Sequence, residues 1–291
     1  MENYLENEWS KRGSLILIGG AEDKTGNKTI LKEIVTRINP KTIALIPSAS
    51  AYPKEVYDNY NKAFKELGVE HIELFDIRNK EEADNDIYLT KITNADLVFL
   101  SGGDQVKLFE VLNGTKLLKL IRELFYKGAF SIAGTSAGSA IASNPMIYDG
   151  DYKGFIKGTV CSSEGFGLVD QIAVDTHFLN RERIPRLIQF MIAQKMPKGI
   201  GLDEDTSVFI SPDLTLDVVG SGMVTLMATD KNTYNNFNDI QQGQAMSINN
   251  FKIGFLPPGA SFDLKSWTHL KSHNENLDFT DHSIFPMGAF I

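Results

Sequence analysis

The 291-residue chain has a single cysteine, Cys161, so no disulfide can close within it. A protein of this length buries a core large enough to do without one, and a lone thiol suits the reducing cytoplasm in which this chain is expected. Long apolar runs are also missing. The longest, at 15–19 and 97–100, are the length of a strand and far too short to span a bilayer. The first residues carry Glu2, Glu6, Glu8, Lys11 and Arg12 around no apolar stretch, so no signal peptide is expected. Basic residues are outnumbered, 29 Lys and Arg against 37 Asp and Glu, for a net charge of -8. Phosphate binding needs a concentrated basic face, so this balance argues against a nucleic-acid role. No cluster of His, Cys and acidic residues at ligand spacing is visible, so neither a metal nor a cofactor is expected.

What is present is an alternation. Short β-rich apolar runs at 15–18, 42–46, 71–75, 96–100, 130–132 and 208–210 are separated by helical patterns at 29–38, 55–67, 87–92, 116–126 and 184–193. Strands alternating with helices predict an α/β fold, a mostly parallel sheet with helices on both faces, whose ligands bind at the carboxyl ends of the strands. The loops at those ends are built of small residues: Gly19-Gly20-Ala21-Glu22-Asp23, Pro47-Ser48-Ala49-Ser50, Ser101-Gly102-Gly103-Asp104-Gln105 and Gly134-Thr135-Ser136-Ala137-Gly138. Beyond about 212 the stretches 214–219, 223–227 and 246–255 read as β, with an Asn/Gln-rich loop at 232–244. A β-rich extension at about 211–291 is therefore expected to pack onto the same sheet as the core at about 14–210, the whole chain forming one catalytic domain.

The local signal that carries most chemistry is Gly134-Thr135-Ser136-Ala137-Gly138, entered by a strand and left by a small-residue helix start. In a nucleophile elbow a serine sits on a strained turn among small neighbours, its hydroxyl facing out over a helix N-terminus. A phosphate-binding turn or a plain tight connection would look similar. Of five histidines, His71 opens a strand and His269, His273 and His282 lie in the polar tail. His177 instead ends the apolar run 172–174, where it can accept a proton from Ser136, although a core histidine bonded to backbone would read the same way. Glu204, at the end of another short strand, is the expected orienting acid, with Asp149 and Asp151 as competitors. Ala137 and Gly103 can offer the two N–H groups of an oxyanion hole, or Gly102 and Gly103 only make the turn.

Five motifs in one order, the three just given around Gly20, Gly103 and Ser136, then Asp175-Thr176-His177-Phe178 with Arg181, Arg183 and Arg186, and Gly201-Leu202-Asp203-Glu204, resemble those of the cyanophycinases. These belong to a serine peptidase family that also holds bacterial aspartyl dipeptidase. The resemblance covers about residues 14–210. It implies a fold similar to class I glutamine amidotransferases, a Ser136-His177-Glu204 triad, and substrate-pocket residues at Gln105, Arg181, Arg183 and Arg186. The implied substrate is cyanophycin, a poly-aspartate backbone with arginine on each side-chain carboxyl, cleaved to β-Asp-Arg dipeptides. Guanidinium groups would bind its carboxylates bidentately, and Asp104 or Asp175 would meet its guanidinium. The expected partners are cyanophycin or a β-aspartyl peptide, with a homodimer as the assembly, and neither nucleic acid nor a membrane. Thr176 stands where cyanophycinases typically have glutamine, which leaves an aspartyl or isoaspartyl dipeptidase as the alternative. An α/β-hydrolase esterase fits less well, because its acid precedes its histidine. A catalytically silent binding protein of the same fold is the third reading.

Overall fold

The structure, a computed structural model, describes residues 11–150 and 154–270. In chain order come β1 (Leu15–Ile18), α1 (Thr29–Ile38), β2 (Thr42–Ile46), α2 (Pro53–Glu66), β3 (His71–Leu74), α3 (Lys80–Ala83), α4 (Asp86–Ile92), β4 (Leu97–Leu100), α5 (Gln105–Leu112), α6 (Lys116–Tyr126) and β5 (Ser131–Thr135). There follow α7 (Ala137–Ala140), a hairpin of β6 (Met146–Gly150) and β7 (Val160–Ser163), β8 (Ile172–Thr176), α8 (Ile184–Ala193), β9 (Lys198–Leu202), β10 (Thr206–Ile210), β11 (Thr215–Gly220) and β12 (Val224–Ala228). The last described strands are β13 (Tyr234–Asn235), β14 (Ile248–Asn249), β15 (Lys252–Leu256), β16 (Ser261–Asp263) and β17 (Thr268–Leu270).

The parallel strands β3, β2, β4, β5 and β1 lie side by side in that order, and β10, β11, β16 and β17 continue the same sheet antiparallel beyond β1. Both faces are covered, which is why β1 and β4 are apolar at every position. Leu15 and Leu17 face a core with Leu108, Leu112, Leu117, Ile121 and Phe125 of α5 and α6. Ile16 and Ile18 face the opposite core, closed by Ile30, Leu31 and Ile34 of α1 and Tyr60 and Phe64 of α2. Among the described residues no helix is long and apolar enough to cross a membrane.

Of the C-terminal part, β11, β16 and β17 join the first sheet as expected, and β12 and β15 do not. A second sheet, ordered β15-β12-β9-β8, forms beside the first, with β8 and β9 parallel. One of its faces, through Val174, Ile200, Leu202, Val224 and Leu226, shares the core of Leu15 and Leu17, while Ala173 and Met227 on the other pack against Leu187, Phe190 and Met191 of α8. Between β9 and β10 the chain passes from the second sheet to the first in three residues, 203–205. A two-residue alternation reports that a strand is half-buried and not which sheet it joins, so this split was invisible in the pattern.

Phe178, fully buried, seals the α8 side of this junction against Gly201. A Cβ on Gly201 would lie 2.3–2.5 Å from three atoms of the Phe178 ring. Gly201→Ala is therefore expected to destabilise the protein by about 1–3 kcal/mol through overpacking, seen as a lowered Tm in thermal denaturation.

Candidate active site

β5 ends in a sharp turn at Ser136, whose φ of 52° and ψ of -111° are strained for a residue with a side chain, and α7 starts directly after it. Side chains on Gly134 or Gly138 would run into backbone, so the elbow tolerates only small neighbours. Ser139 pins it from below: its hydroxyl accepts the Ile18 N–H at 2.8 Å and donates to the Gly134 carbonyl at 2.6 Å. The Ser136 N–H itself bonds to the Ile18 carbonyl.

His177 leaves β8 with a positive φ of 48°, its N–H bonded to the Gly19 carbonyl. Its ring crosses so close to Gly20 (φ 102°) that a Cβ there would lie 2.4 Å from Cε1. His177 Nε2 is 2.9 Å from Ser136 Oγ, and Nδ1 is 2.7 Å from Glu204 Oε1. A carboxylate accepts and does not donate, so the proton sits on Nδ1 and Nε2 presents its lone pair to the Ser136 hydroxyl. Glu204 is held by its backbone: its N–H bonds to Asn180 Oδ1, and Thr206 Oγ1 donates to its carbonyl. The preceding Asp203 ties both sides, taking the Leu179 N–H on Oδ1 and the Met223 N–H on Oδ2. Asn180 thus braces Glu204 and does not cap α8, whose N-cap is Arg183 with no side-chain capping bond.

Burial lowers the pKa of His177 below its ordinary value; the Glu204 contact opposes this, and the positive charges of Arg181 and Arg183 reinforce it. At neutral pH the ring is therefore a neutral base. The three arginines separate. Arg186 is buried and forks onto Asp175, donating through Nε at 2.9 Å and through Nη2, while its Nη1 bonds to the Gly150 carbonyl. Arg183 donates to the Thr176 carbonyl at 2.6 Å, and burial lowers its pKa to about 10. Arg181 is exposed.

Asp175 and Arg186, expected as substrate contacts, pair with each other inside the protein, a buried ion pair under the His177 segment. Asp104 spends Oδ1 on the N-terminus of α5, accepting from the Val106 and Lys107 N–H groups. Gln105 donates its side-chain amide to the Ile147 and Tyr148 carbonyls, joining α5 to the β6 hairpin. Gly102 lies nearest the serine, where a Cβ would be 3.3 Å from that of Ser136, while Gly103 backs onto the Ala49 carbonyl. Among the described residues no backbone acceptor takes the N–H of Gly103 or Ala137. Asp149 accepts from its neighbour Gly150 and not from His177; Asp151, His273 and His282 lie outside the described residues. Among the described residues there is no grouping of His, Cys and acidic side chains able to hold a metal.

A strained elbow serine, hydrogen-bonded to a neutral histidine that a carboxylate orients, at the carboxyl edge of a doubly covered sheet, is the geometry of a serine hydrolase. The model of peptidase family S51 matches residues 15–216, and the chain belongs to that family; it is a serine peptidase. Cyanophycinase of Trichormus variabilis is 34% identical over 260 residues, 88% of this chain and 87% of that protein. Cyanophycinase of Synechococcus elongatus is 32% identical over 265 residues, 90% of this chain and 82% of that one. In architecture the chain is similar to a peptidase from an acI-B1 actinobacterium, with a TM-score of 0.65 at 22% identity, covering 87% of this chain and 97% of that one.

The buried pair yields a prediction that separates it from the cleft. Arg186→Met leaves the Asp175 carboxylate buried with only Arg183 nearby, and removing one partner of such a pair costs about 3–5 kcal/mol. A large fall in Tm is expected; an unchanged Tm would show that this arginine is free to serve a ligand.

Proposed function

We propose that this chain hydrolyses cyanophycin, releasing β-Asp-Arg dipeptides, with Ser136 as nucleophile, His177 as general base and Glu204 as the group that orients it. The observation that carries the chemistry is the continuous chain Ser136 Oγ, His177 Nε2, His177 Nδ1, Glu204 Oε1, with links of 2.9 and 2.7 Å. The substrate follows from the likeness to two cyanophycinases over most of their length. In this reading Ser136 Oγ attacks the carbonyl carbon of the polymer backbone while its proton passes to Nε2. The oxyanion is taken by the N–H groups of Ala137 and Gly103, the first also favoured by the start of α7. Collapse breaks the C–N bond, the leaving amine takes the proton from His177, and water repeats the cycle on the ester.

Arg181 is the guanidinium best placed for a substrate carboxylate, being exposed and close enough to lower the histidine's pKa. Arg183 is half-buried, with one nitrogen already committed to Thr176 and Asp175. Gln105 and the edge of Asp104 would line the opposite wall. The rival, an aspartyl dipeptidase of the same family, is favoured by one observation: Thr176, shorter than the glutamine typical of cyanophycinases, is buried with its carbonyl occupied. Incubation with purified cyanophycin, followed by mass spectrometry of the products, separates the two. Release of β-Asp-Arg supports the proposal; intact polymer alongside cleavage of aspartyl dipeptides overturns the substrate and leaves the serine peptidase standing.

The same geometry fixes a pH dependence. Only neutral His177 can accept the Ser136 proton, so activity is lost as pH falls through its pKa. Because burial holds that pKa below the ordinary 6.5, the acid limb of a kcat/KM profile is expected to have its midpoint under 6.5 and to be flat through neutrality. A midpoint at or above neutrality would contradict the assignment.

A further inference from the structure

Glu22, in the loop after β1, is buried with its carboxylate almost wholly out of solvent. Three segments supply its donors. Thr135 Oγ1 donates to Oε2 at 2.7 Å, the Tyr60 hydroxyl of α2 donates to Oε1, and the Lys24 ammonium lies 3.2 Å from Oε1 and 5.0 Å from the centre of the Tyr60 ring. Tyr60 is itself anchored, its ring 4.7 Å from that of Phe99 in β4. Burial and the adjacent Glu22 charge push its pKa well up, so it remains a donor. Thr135 directly precedes the strained Ser136 and is equally buried. Nothing in the hydrolytic cycle uses this carboxylate. Burying one is costly even when it is paired, and an apolar cluster of similar volume would fill the corner as well. What a carboxylate adds is direction, since its two oxygens fix both the Thr135 hydroxyl and the Tyr60 hydroxyl at once.

We propose that Glu22 is a positioning residue for the nucleophile: through Thr135 it fixes the rotation of the elbow, and so the alignment of Ser136 Oγ with His177 Nε2. Glu22 touches neither the serine nor the substrate side of the site; its action is through the residue before the nucleophile. The proposal rests on Ser136 being that nucleophile. It predicts an effect on the chemical step that binding does not share, because the arginine-bearing wall belongs to the other sheet.

The test uses Thr135→Val, which removes the hydroxyl and keeps the shape, Thr135→Ser, which keeps the hydroxyl, and Glu22→Gln, which turns one acceptor oxygen into a donor. Each is assayed with the substrate the parent turns over, cyanophycin or an aspartyl dipeptide, beside Ser136→Ala and with Tm recorded. Thr135→Val and Glu22→Gln are expected to lower kcat by about ten- to a hundredfold, the scale of a misaligned reacting group, with KM little changed. Thr135→Ser should recover most of kcat, and the Glu22→Gln/Thr135→Val double variant should be no slower than the worse single one, since both break the same bond. Parental kcat in Thr135→Val, or equal losses in the valine and serine variants, overturns the inference, as does a loss confined to Tm. Should Glu22→Gln fail to fold, the two threonine variants decide alone. Activity surviving in Ser136→Ala would instead remove the nucleophile, and this inference with it; a dead Ser136→Ala beside a fully active Thr135→Val removes the inference only.

Discussion

Three consecutive carbonyls at the end of β1 hold the site together. Ile18 accepts the N–H of Ser136, Gly19 that of His177, and Gly20 that of Asp205, the neighbour of Glu204. Each residue of the hydrogen-bonded chain, or its immediate neighbour, thus hangs from the same short stretch of backbone, which itself leaves the sheet between β5 and β10. Main-chain bonds inside a packed core move little, so the alignment depends less on side-chain packing than on where β1 ends. The closeness has a steric condition at Gly20, whose missing Cβ is the space the imidazole occupies.

The second consequence is a junction between two sheets. Ser136 comes from the large sheet; His177 and Glu204 come from the ends of β8 and β9, parallel neighbours in the small one. The three-residue passage from β9 to β10 carries Glu204 across the gap, and Asp203 and Asn180 tie that passage to the His177 segment. Electrostatics then follow from depth. Partial burial keeps the histidine neutral, Arg181 and Arg183 add to that bias, and the potentially disruptive charges of Asp175 and Arg186 cancel each other beneath the floor.

Much of this was legible in the residues. The parallel strands and α1, α6 and α8 fall where apolar periodicity puts them, because each has one clear buried face or two. The elbow could be read from Gly134 to Gly138 because few other turns demand small residues on both sides of a serine. The rest was hidden for physical reasons. α5 begins inside a glycine-rich loop that masks its start, though Asp104 is an ordinary N-cap. Asp175, Arg183 and Arg186 share a motif, and one-dimensional spacing does not say which guanidinium turns inward; only the second sheet decides that. Glu22 carried no signal of its own, since a glutamate after Gly19-Gly20 looks like a solvated loop residue until Tyr60 and Thr135 close over it.

The central claim is that Ser136, His177 and Glu204 act as one unit on a shared backbone anchor. The most direct measurement compares kcat of Ser136→Ala and His177→Ala with that of the double variant. Residues of one catalytic unit are strongly non-additive, so the double variant is predicted to be no slower than the worse single one, both several orders of magnitude below the parent. Losses that multiply in the double variant would mean that the serine and the histidine work independently, and would contradict the account.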